Sequence, residues 1–479
     1  MELSPELSEV EILGLTADSR AVRPGYLFAA LPGRRADGRA YIADAVARGA
    51  VAVLAPPGVH FAAREIAVVT DSNPRRRLSL AAARFFGRQP RAIAAVTGTN
   101  GKSSVVSFTR QIWTALGHGA ASIGTLGLVA PGLEDAQNLT TPDPVALHET
   151  LARLAASGVE RVALEASSHG LDQFRLDGVR VTLAAFTNLS RDHLDYHRSM
   201  ESYRAAKLRL FGEVMEPGGR AALNADSDEY DAFAAACVRR GHRIVGYGRR
   251  GGEVRLEAAE AIGSALEVQR IRVAVGGSSY PVAFPLVGGF QVMNALCALA
   301  LVIADGAEAS PAIAALEQLQ GVRGRLERVR ARAGGGAIYV DYAHTPDALA
   351  TALNALRPHT KSRLMVVFGC GGDRDRGKRP EMGAVAARLA DEIIVTDDNP
   401  RSENPALIRR EVLAGCPRAE EVGDRAEAIR RAVRALGPGD VLLIAGKGHE
   451  RNQILADRVI PFDDVSAAAQ AAAEVEGRG

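Results

Sequence analysis

The segment Ala94–Ser104, AAVTGTNGKSS, constrains this chain more than any other. The apolar run Ala92-Ile93-Ala94-Ala95-Val96 reads as a buried strand, and Val105, Phe108, Ile112 and Leu116 then recur at helical spacing. Strand, glycine turn and helix in that order predict a phosphate-binding loop. Gly98 and Gly101 let backbone N–H groups approach a polyphosphate, Thr99, Asn100 and Ser104 complete the contact surface, and the helix N-terminus adds its partial positive charge. Lys102 is placed to neutralise the outer phosphates and the Ser103 hydroxyl to ligate Mg²⁺. The longer form of such a loop has a glycine where this chain has Val96, so this is the shorter TGTNGKS form. The expected ligand is a nucleoside triphosphate.

A chain of 479 residues has room for roughly three domains. Its 58 Lys and Arg against 56 Asp and Glu leave a net charge of +2, which gives no global electrostatic support for nucleic-acid binding. The four cysteines, Cys237, Cys297, Cys370 and Cys416, form no CxxC pair and argue against a zinc site or a disulfide framework. The opening MELSPELSEVEIL lacks the basic start and apolar centre of a signal peptide, and the Ala/Leu-rich segment 295–304 is too short to span a bilayer. These features predict a cytoplasmic enzyme without membrane insertion.

Three regions divide the expected α/β architecture. Residues 1–87 form a small α/β domain with strands near Tyr26–Leu31 and Val51–Leu54; the run Arg75-Arg76-Arg77 opens a helix and reads as a solvated face. Residues 88–325 alternate strands (162–165, 183–187, 221–224, 244–247) with helices, predicting a doubly wound, mostly parallel sheet. Alternating apolar and polar residues between Val254 and Phe284 predict a few antiparallel strands, before a long helix from Phe290 to Ala304. Residues 326–479 alternate again, with strands at 337–341, 364–368, 392–396 and 441–445, and predict a Rossmann-like domain without a phosphate loop.

Polar residues collect where these strands end, which is where ligands bind in open parallel sheets. Glu165 ends one strand, and Asp192 and His193 follow another; a carboxylate and an imidazole near a phosphate loop are candidate Mg²⁺ ligands. Lys207 shares a helix face with Tyr203, four residues earlier. Helix position alone makes this lysine a surface charge.

The chain resembles the Mur ligases, ATP-dependent amide-forming enzymes of peptidoglycan synthesis. The likeness runs through TADSRAVRPGYLFAAL at 16–31, VTGTNGKSS at 96–104, NLTTPDP at 138–144, EASSHGLDQFR at 165–175 and FTNLSRDHLDYH at 186–197. It continues in YRAAK at 203–207, GRLE at 324–327, DYAHTPDAL at 341–349, GCGGDRDRGKRP at 369–380, TDDNPR at 396–401 and AGKGHE at 445–450. TDDNPR with AGKGHE resembles the branch that adds diaminopimelate as the third residue of the peptide.

That resemblance implies an N-terminal domain for the UDP-sugar, a central ATPase and a C-terminal domain for the incoming amino acid. It implies as substrates ATP, UDP-N-acetylmuramoyl-L-Ala-D-Glu and meso-diaminopimelate, and a monomer as the working form. Ser19 is implied at the uridine diphosphate; Thr140, Thr141, Ser167, Gln173 and Arg175 at the muramoyl dipeptide; Asn294 and Arg325 at the nucleotide. Lys207 matches a lysine whose CO₂-derived carbamate helps hold Mg²⁺ together with Ser103, Glu165 and His193, and Lys102, His193 and Lys207 are the implied catalytic set. Arg379, Asp398, Asn399, Pro400, Arg401, Gly446 and Glu450 match the diaminopimelate site. Gln291, Arg323 and Arg39 depart from the family pattern. The alternatives are an L-lysine-adding ligase of the same family and a nucleotide-dependent switch with no ligase activity.

Overall fold

The computed structural model describes residues 10–33, 36–59, 66–135, 139–261, 269–329 and 336–476. Asn138 of the NLTTPDP motif and the first nine residues of the chain lie outside that set. Four parallel strands, β1 (Gly14–Thr16), β2 (Tyr26–Ala29), β3 (Ala50–Ala55) and β4 (Ala67–Thr70), pair in chain order as the first sheet. Alternate residues point to opposite faces. Leu27, Ala29 and Leu54 pack on the helix Pro74–Phe86, while Phe28 and Val53 pack on the helix Ile42–Ala47.

The basic run was expected to be solvated, and Arg76 is indeed exposed. It is nevertheless tethered: Arg76 Nε donates to Asp177 at 2.9 Å, and Arg75 Nη2 donates to the Pro32 carbonyl at 2.6 Å. The run therefore pins the first sheet's helix to the central region.

Eleven strands make the second sheet. They are β5 (Ala92–Thr97), β6 (Ala120–Gly124), β7 (Gly127–Ala130), β8 (Leu133–Asp135), β9 (Arg161–Glu165), β10 (Leu183–Phe186), β11 (Arg220–Asn224), β12 (Arg243–Gly248), β13 (Val254–Ala261), β14 (Gln269–Val275) and β15 (Ser278–Phe284). Their order is β15-β14-β13-β12-β11-β10-β5-β9-β6-β7-β8, parallel from β13 through β6 and antiparallel at both ends. The antiparallel strands foreseen between Val254 and Phe284 thus extend the parallel sheet. The β5 run is unbroken apolar because both its faces are buried: Ala94 and Val96 lie under the helices Lys102–Ala115 and Gly289–Ala304, Ile93 and Ala95 under Pro144–Ala156 and Tyr230–Arg239.

The chain leaves β5 toward β6 on one side, with β9 between them, and β10 lies on the other side. The loop after β5 therefore sits at the switch point where ligands bind in such sheets.

The third sheet holds β16 (Glu327–Val329), β17 (Ala337–Asp341), β18 (Leu364–Phe368), β19 (Glu392–Val395), β20 (Glu420–Glu421) and β21 (Val441–Ala445) in the order β16-β17-β21-β18-β19-β20. All pairs but β16–β17 are parallel, so the loops after β17, β18, β19 and β21 emerge at one edge. No helix among the described residues is long and apolar enough to cross a membrane.

Beneath that edge lies a fully buried ion pair. Arg425 Nε and Nη2 donate to the two Asp464 oxygens at 2.7 and 2.8 Å, with both side chains 0% exposed, and Nη2 also donates to the Ala445 carbonyl at the end of β21. A buried charge stripped of its partner costs about 3–5 kcal/mol, whereas an apolar pair of similar volume is close to neutral. Asp464→Ala should therefore lower stability by about 3–5 kcal/mol in urea unfolding followed by circular dichroism. Arg425→Met with Asp464→Leu should recover most of the loss.

Candidate active site

The phosphate loop is shaped by what its glycines avoid. A Cβ on Gly98 would lie 1.9 Å from Thr187 Oγ1, and one on Gly101 2.4 Å from Asn294 Oδ1, with φ of +151° and +90°. The loop is tied to the strand beside it. The Thr99 N–H donates to the Asn188 carbonyl at 2.9 Å, the Asn100 N–H to Asn188 Oδ1 at 2.9 Å, and Thr187 Oγ1 to the Asn100 carbonyl at 2.6 Å.

Lys102 folds over the loop, its Nζ donating to the carbonyls of Gly98 and Thr99 at 2.9 and 2.8 Å. Lys207 Nζ donates to the same Gly98 carbonyl at 2.8 Å. Helix position alone put Lys207 on the surface, and the family resemblance put it in the site; it is 1% exposed, with its nitrogen 4.3 Å from the centre of the Tyr203 ring. Burial, then the nearby Lys102 charge, pushes its pKa well below the usual lysine value, against a smaller opposing effect from Asp192. The helix carrying it, Met200–Arg209, packs inward, which no helical spacing could reveal.

These residues wall a cavity of about 530 Å³ together with Thr140, Glu165, Ser167, His193, Asn294 and Arg325. Glu165 accepts from the Thr125 N–H at 2.8 Å and from Thr125 Oγ1 at 3.2 Å, and Gly124 leaves room for its carboxylate, which a Cβ there would meet at 2.2 Å. Ser103 Oγ accepts from Arg325 Nη2 at 3.3 Å. His193 sits edge-on to His169 with ring centres 4.9 Å apart; loss of solvent on its cavity side, partly offset by Asp192, lowers its pKa to about 4, which favours the neutral ring.

Tyr203 also lines this cavity, as do Thr125, Asn188, Tyr342 and His344, which were not singled out in the sequence. Asn188, Tyr342 and His344 lie inside motifs carrying the family likeness; nothing local marks Thr125. Gln291 stays behind the wall, donating to the Arg325 carbonyl at 3.0 Å and accepting from Asn294 at 3.2 Å. Arg323 pairs with Asp463, and Arg39 with Asp37 at an exposed turn.

Of the residues implied at the muramoyl dipeptide, Thr140 and Ser167 reach the cavity. Thr141 is buried behind them: it donates to the Glu165 carbonyl at 2.7 Å and shares a hydrogen bond with Ser167 at 2.9 Å. Arg175 donates to the Thr141 carbonyl and to Gln173 Oε1, each at 2.7 Å. Gln173 and Arg175 thus flank the cavity without lining it. Ser19 lies in the first region at the short helix Ser19–Ala21 and lines neither cavity described here.

A second cavity, of about 320 Å³, opens where the loops after β18, β19 and β21 face Asp192 and His193. Arg401, Asp398, Asn399, Gly446 and Glu450 line it. Arg401 has φ +51° and donates from Nη1 to the Gly372 carbonyl at 2.7 Å; burial and then the neighbouring Arg374 lower its pKa. Two guanidinium groups sharing a concave wall favour an anion. Asn399 donates to Glu450 Oε2 at 2.8 Å, and buried Lys447 donates to both, at 3.0 and 3.1 Å. The helix Pro405–Leu413 is capped by the Asn404 side chain, so Arg401 is free of that duty.

Arg379, expected at the amino-acid site, lies elsewhere. Arg379 does not reach the cavity: its side chain is 0% exposed and held by Glu403 at 2.8 Å, Glu411 at 2.7 Å and the Gly371 carbonyl at 3.2 Å. The arginine of GDRDRGKRP that lines the wall is Arg374. Helical phase decides this, since Arg379 lies on the inner side of the helix Lys378–Leu389 whereas Arg374 precedes that helix. Pro400 also lies outside the lining.

No group of three or more His, Cys, Asp or Glu among the described residues could cage a metal alone. The donors at hand, the Ser103 hydroxyl, the Glu165 carboxylate and neutral His193 on one wall, fit Mg²⁺, which takes few protein ligands and completes its shell with phosphate oxygens and water. A carbamate on Lys207 fits as well. Carbamylation needs an uncharged amine, and burial beside Lys102 favours that form.

Replacing Lys102 by Ala should lower nucleotide-dependent turnover at least about 10²-fold in a folded protein, because its charge offsets that on the transferred phosphoryl group. Turnover and circular dichroism on the same preparation check this. Lys207→Ala should be nearly inactive and partly rescued by short carboxylates, and ¹³CO₂ should label the unmodified protein but not this variant.

Three family models match the chain: "Mur ligase family, catalytic domain" over residues 11–86, "Mur ligase middle domain" over 96–302 and "Mur ligase, glutamate ligase domain" over 324–448. A protein of Bradyrhizobium diazoefficiens called UDP-N-acetylmuramoyl-L-alanyl-D-glutamate–2,6-diaminopimelate ligase is 53% identical over 98% of this chain and 97% of its own length. A protein of the same name from Caulobacter vibrioides is 53% identical over 98% and 96%. A solved structure of a ligase so named superposes with a TM-score of 0.70 at 33% identity, covering 97% of this chain and 95% of that one. Thermotoga maritima MurF ligase in complex with ADP shares the fold, with a TM-score of 0.67 at 17% identity, over 99% and 100%. From its phosphate loop to its last sheet, the chain belongs to the Mur ligase family.

Proposed function

We propose that this chain is the ATP-dependent ligase that joins meso-2,6-diaminopimelate to the D-glutamyl side-chain carboxylate of UDP-N-acetylmuramoyl-L-Ala-D-Glu, in the building of peptidoglycan. The carrying observation is the second cavity, whose lining combines Arg374 and Arg401 with Asp398 and Glu450 and includes His193, which also lines the phosphate cavity. Meso-diaminopimelate differs from lysine by a carboxylate on the far end of its side chain. Paired arginines suit that group through planar, two-pronged donors, and the acidic side chains suit an ammonium. The names of the relatives agree with this choice.

A carboxylate is a poor electrophile because oxide is a poor leaving group. Transfer of the γ-phosphoryl group from ATP gives an acyl phosphate and ADP. The uncharged amine of diaminopimelate then attacks the acyl carbon, a C–N bond forms, the C–O bond to phosphate breaks, and the amine loses a proton. Two anions must be brought together in the first step, so positioning and charge neutralisation dominate. Lys102 supplies fixed positive charge, and the N–H groups from Gly101 to Ser104 face the same anion at the helix N-terminus. Ser103, Glu165, His193 and the Lys207 carbamate would hold Mg²⁺, which shields the phosphate oxygens. Thr140 and Ser167 orient the acceptor carboxylate at the edge of the same space. Closure of the C-terminal region over the centre excludes water from the acyl phosphate.

ADP release measured with UDP-N-acetylmuramoyl dipeptide and a panel of amino acids tests the reading. Strong preference for meso-diaminopimelate over L-lysine is expected, because lysine lacks the distal carboxylate that half-buried Arg401 and exposed Arg374 would pair with. Arg401→Ala should lose the preference. Equal catalytic efficiency of the unmodified enzyme with both amino acids would refute the assignment.

A further inference from the structure

The two lobes that form the amino-acid cavity meet through chemically different contacts. Near the connecting segment the contact is apolar: Val287 joins Leu326 in one core cluster, with Phe290 and Ala355 packed against it. At the cavity the contact is ionic. Arg191, in the loop after β10, places Nη2 3.2 Å from Asp375 and Nη1 3.3 Å from Glu381. Asp375 lies in the loop after β18, and Glu381 in the first turn of the helix Lys378–Leu389. All three line the cavity wall.

We infer that Arg191 is a positioning residue for the incoming amino acid: with Asp375 and Glu381 it forms an ionic latch that holds the C-terminal lobe against the central one. This rests on the ligase reading above. The central lobe gives the cavity Asp192 and His193, and the C-terminal lobe gives it Arg374, Arg401, Asp398 and Glu450. Neither set makes a closed site alone. Arg191 directly precedes Asp192, and Asp375 directly follows Arg374, so the latch fixes the spacing between the two sets of groups. The arginine is 49% exposed and the carboxylates 30% and 50%. Such pairs are weak and screened by salt, which suits a contact that must open in every cycle. An apolar contact beside the linker and an ionic one at the cavity let the lobes part at the cavity without unfolding the joint.

Charge exchange tests the latch. Arg191→Glu sets a third carboxylate beside Asp375 and Glu381, and Glu381→Arg sets two guanidinium groups together. Each single variant should raise KM for meso-diaminopimelate about tenfold, with kcat changed less than about threefold, and ADP affinity and melting temperature nearly constant. Small-angle scattering of the full chain should show each single variant more extended than the unmodified protein. The double variant, Arg191→Glu with Glu381→Arg, should regain compactness and bring KM to within about threefold of the original. Single variants with unchanged KM and compactness, or a double variant whose defects simply add, would overturn the latch. Failure of the unmodified enzyme to release ADP with meso-diaminopimelate would instead defeat the ligase reading, and the scattering arm would still decide the latch.

Discussion

Two lysine ammonium groups converge on the carbonyl oxygen of Gly98. Like charges at that range repel, and burial removes the water that would screen them. The conflict has two outlets. Lys102, on the loop, can take a polyphosphate as its counter-ion, and Lys207 can cease to be a cation. Everything around the pair serves this arrangement. Gly98 itself has no room for a side chain beside Thr187, the Tyr203 ring packs against Lys207, and Asp192 and Glu165 place negative charge within reach of Lys102.

Sheet topology brings the remaining groups to that point. In the central sheet, β5 lies between β10 and β9, so the loops carrying Lys102, Asp192 and Glu165 emerge side by side at the carboxyl ends. In the last sheet, β21 lies between β17 and β18, which collects Tyr342, His344, Arg374 and Glu450 along one edge. The two edges face each other. Asp192, His193, Tyr342 and His344 belong to the walls of both cavities, so the two spaces share one partition.

Tertiary burial also separates arginines that look alike in sequence. Arg374, Arg376 and Arg379 lie within six residues, yet one lines the cavity, one pairs with Glu411 at the surface, and one is enclosed by Glu403 and Glu411. Enclosed Arg379 commits Nη1 and Nη2 to Glu403, Glu411 and the Gly371 carbonyl. It braces the loop that presents Arg374, through the Gly371 carbonyl.

Sequence alone determined what is local or periodic. The β5 run, its glycine turn and the helix after it follow from apolar spacing and backbone freedom, and so does the strand end at Glu165; the strand expected over 392–396 stops at Val395. Family likeness added Lys207, which sequence physics left on the surface. Only the tertiary structure decided the properties that depend on groups far apart in the chain: the burial that lowers the pKa of Lys207, the choice of Arg374 over Arg379, the joining of the Val254–Phe284 strands to the parallel sheet, and the pairing of Arg191 with residues some 190 positions later. The reason is physical. Spacing encodes which side of an element is apolar, but pKa, exposure and ion pairing depend on what other elements place against that side.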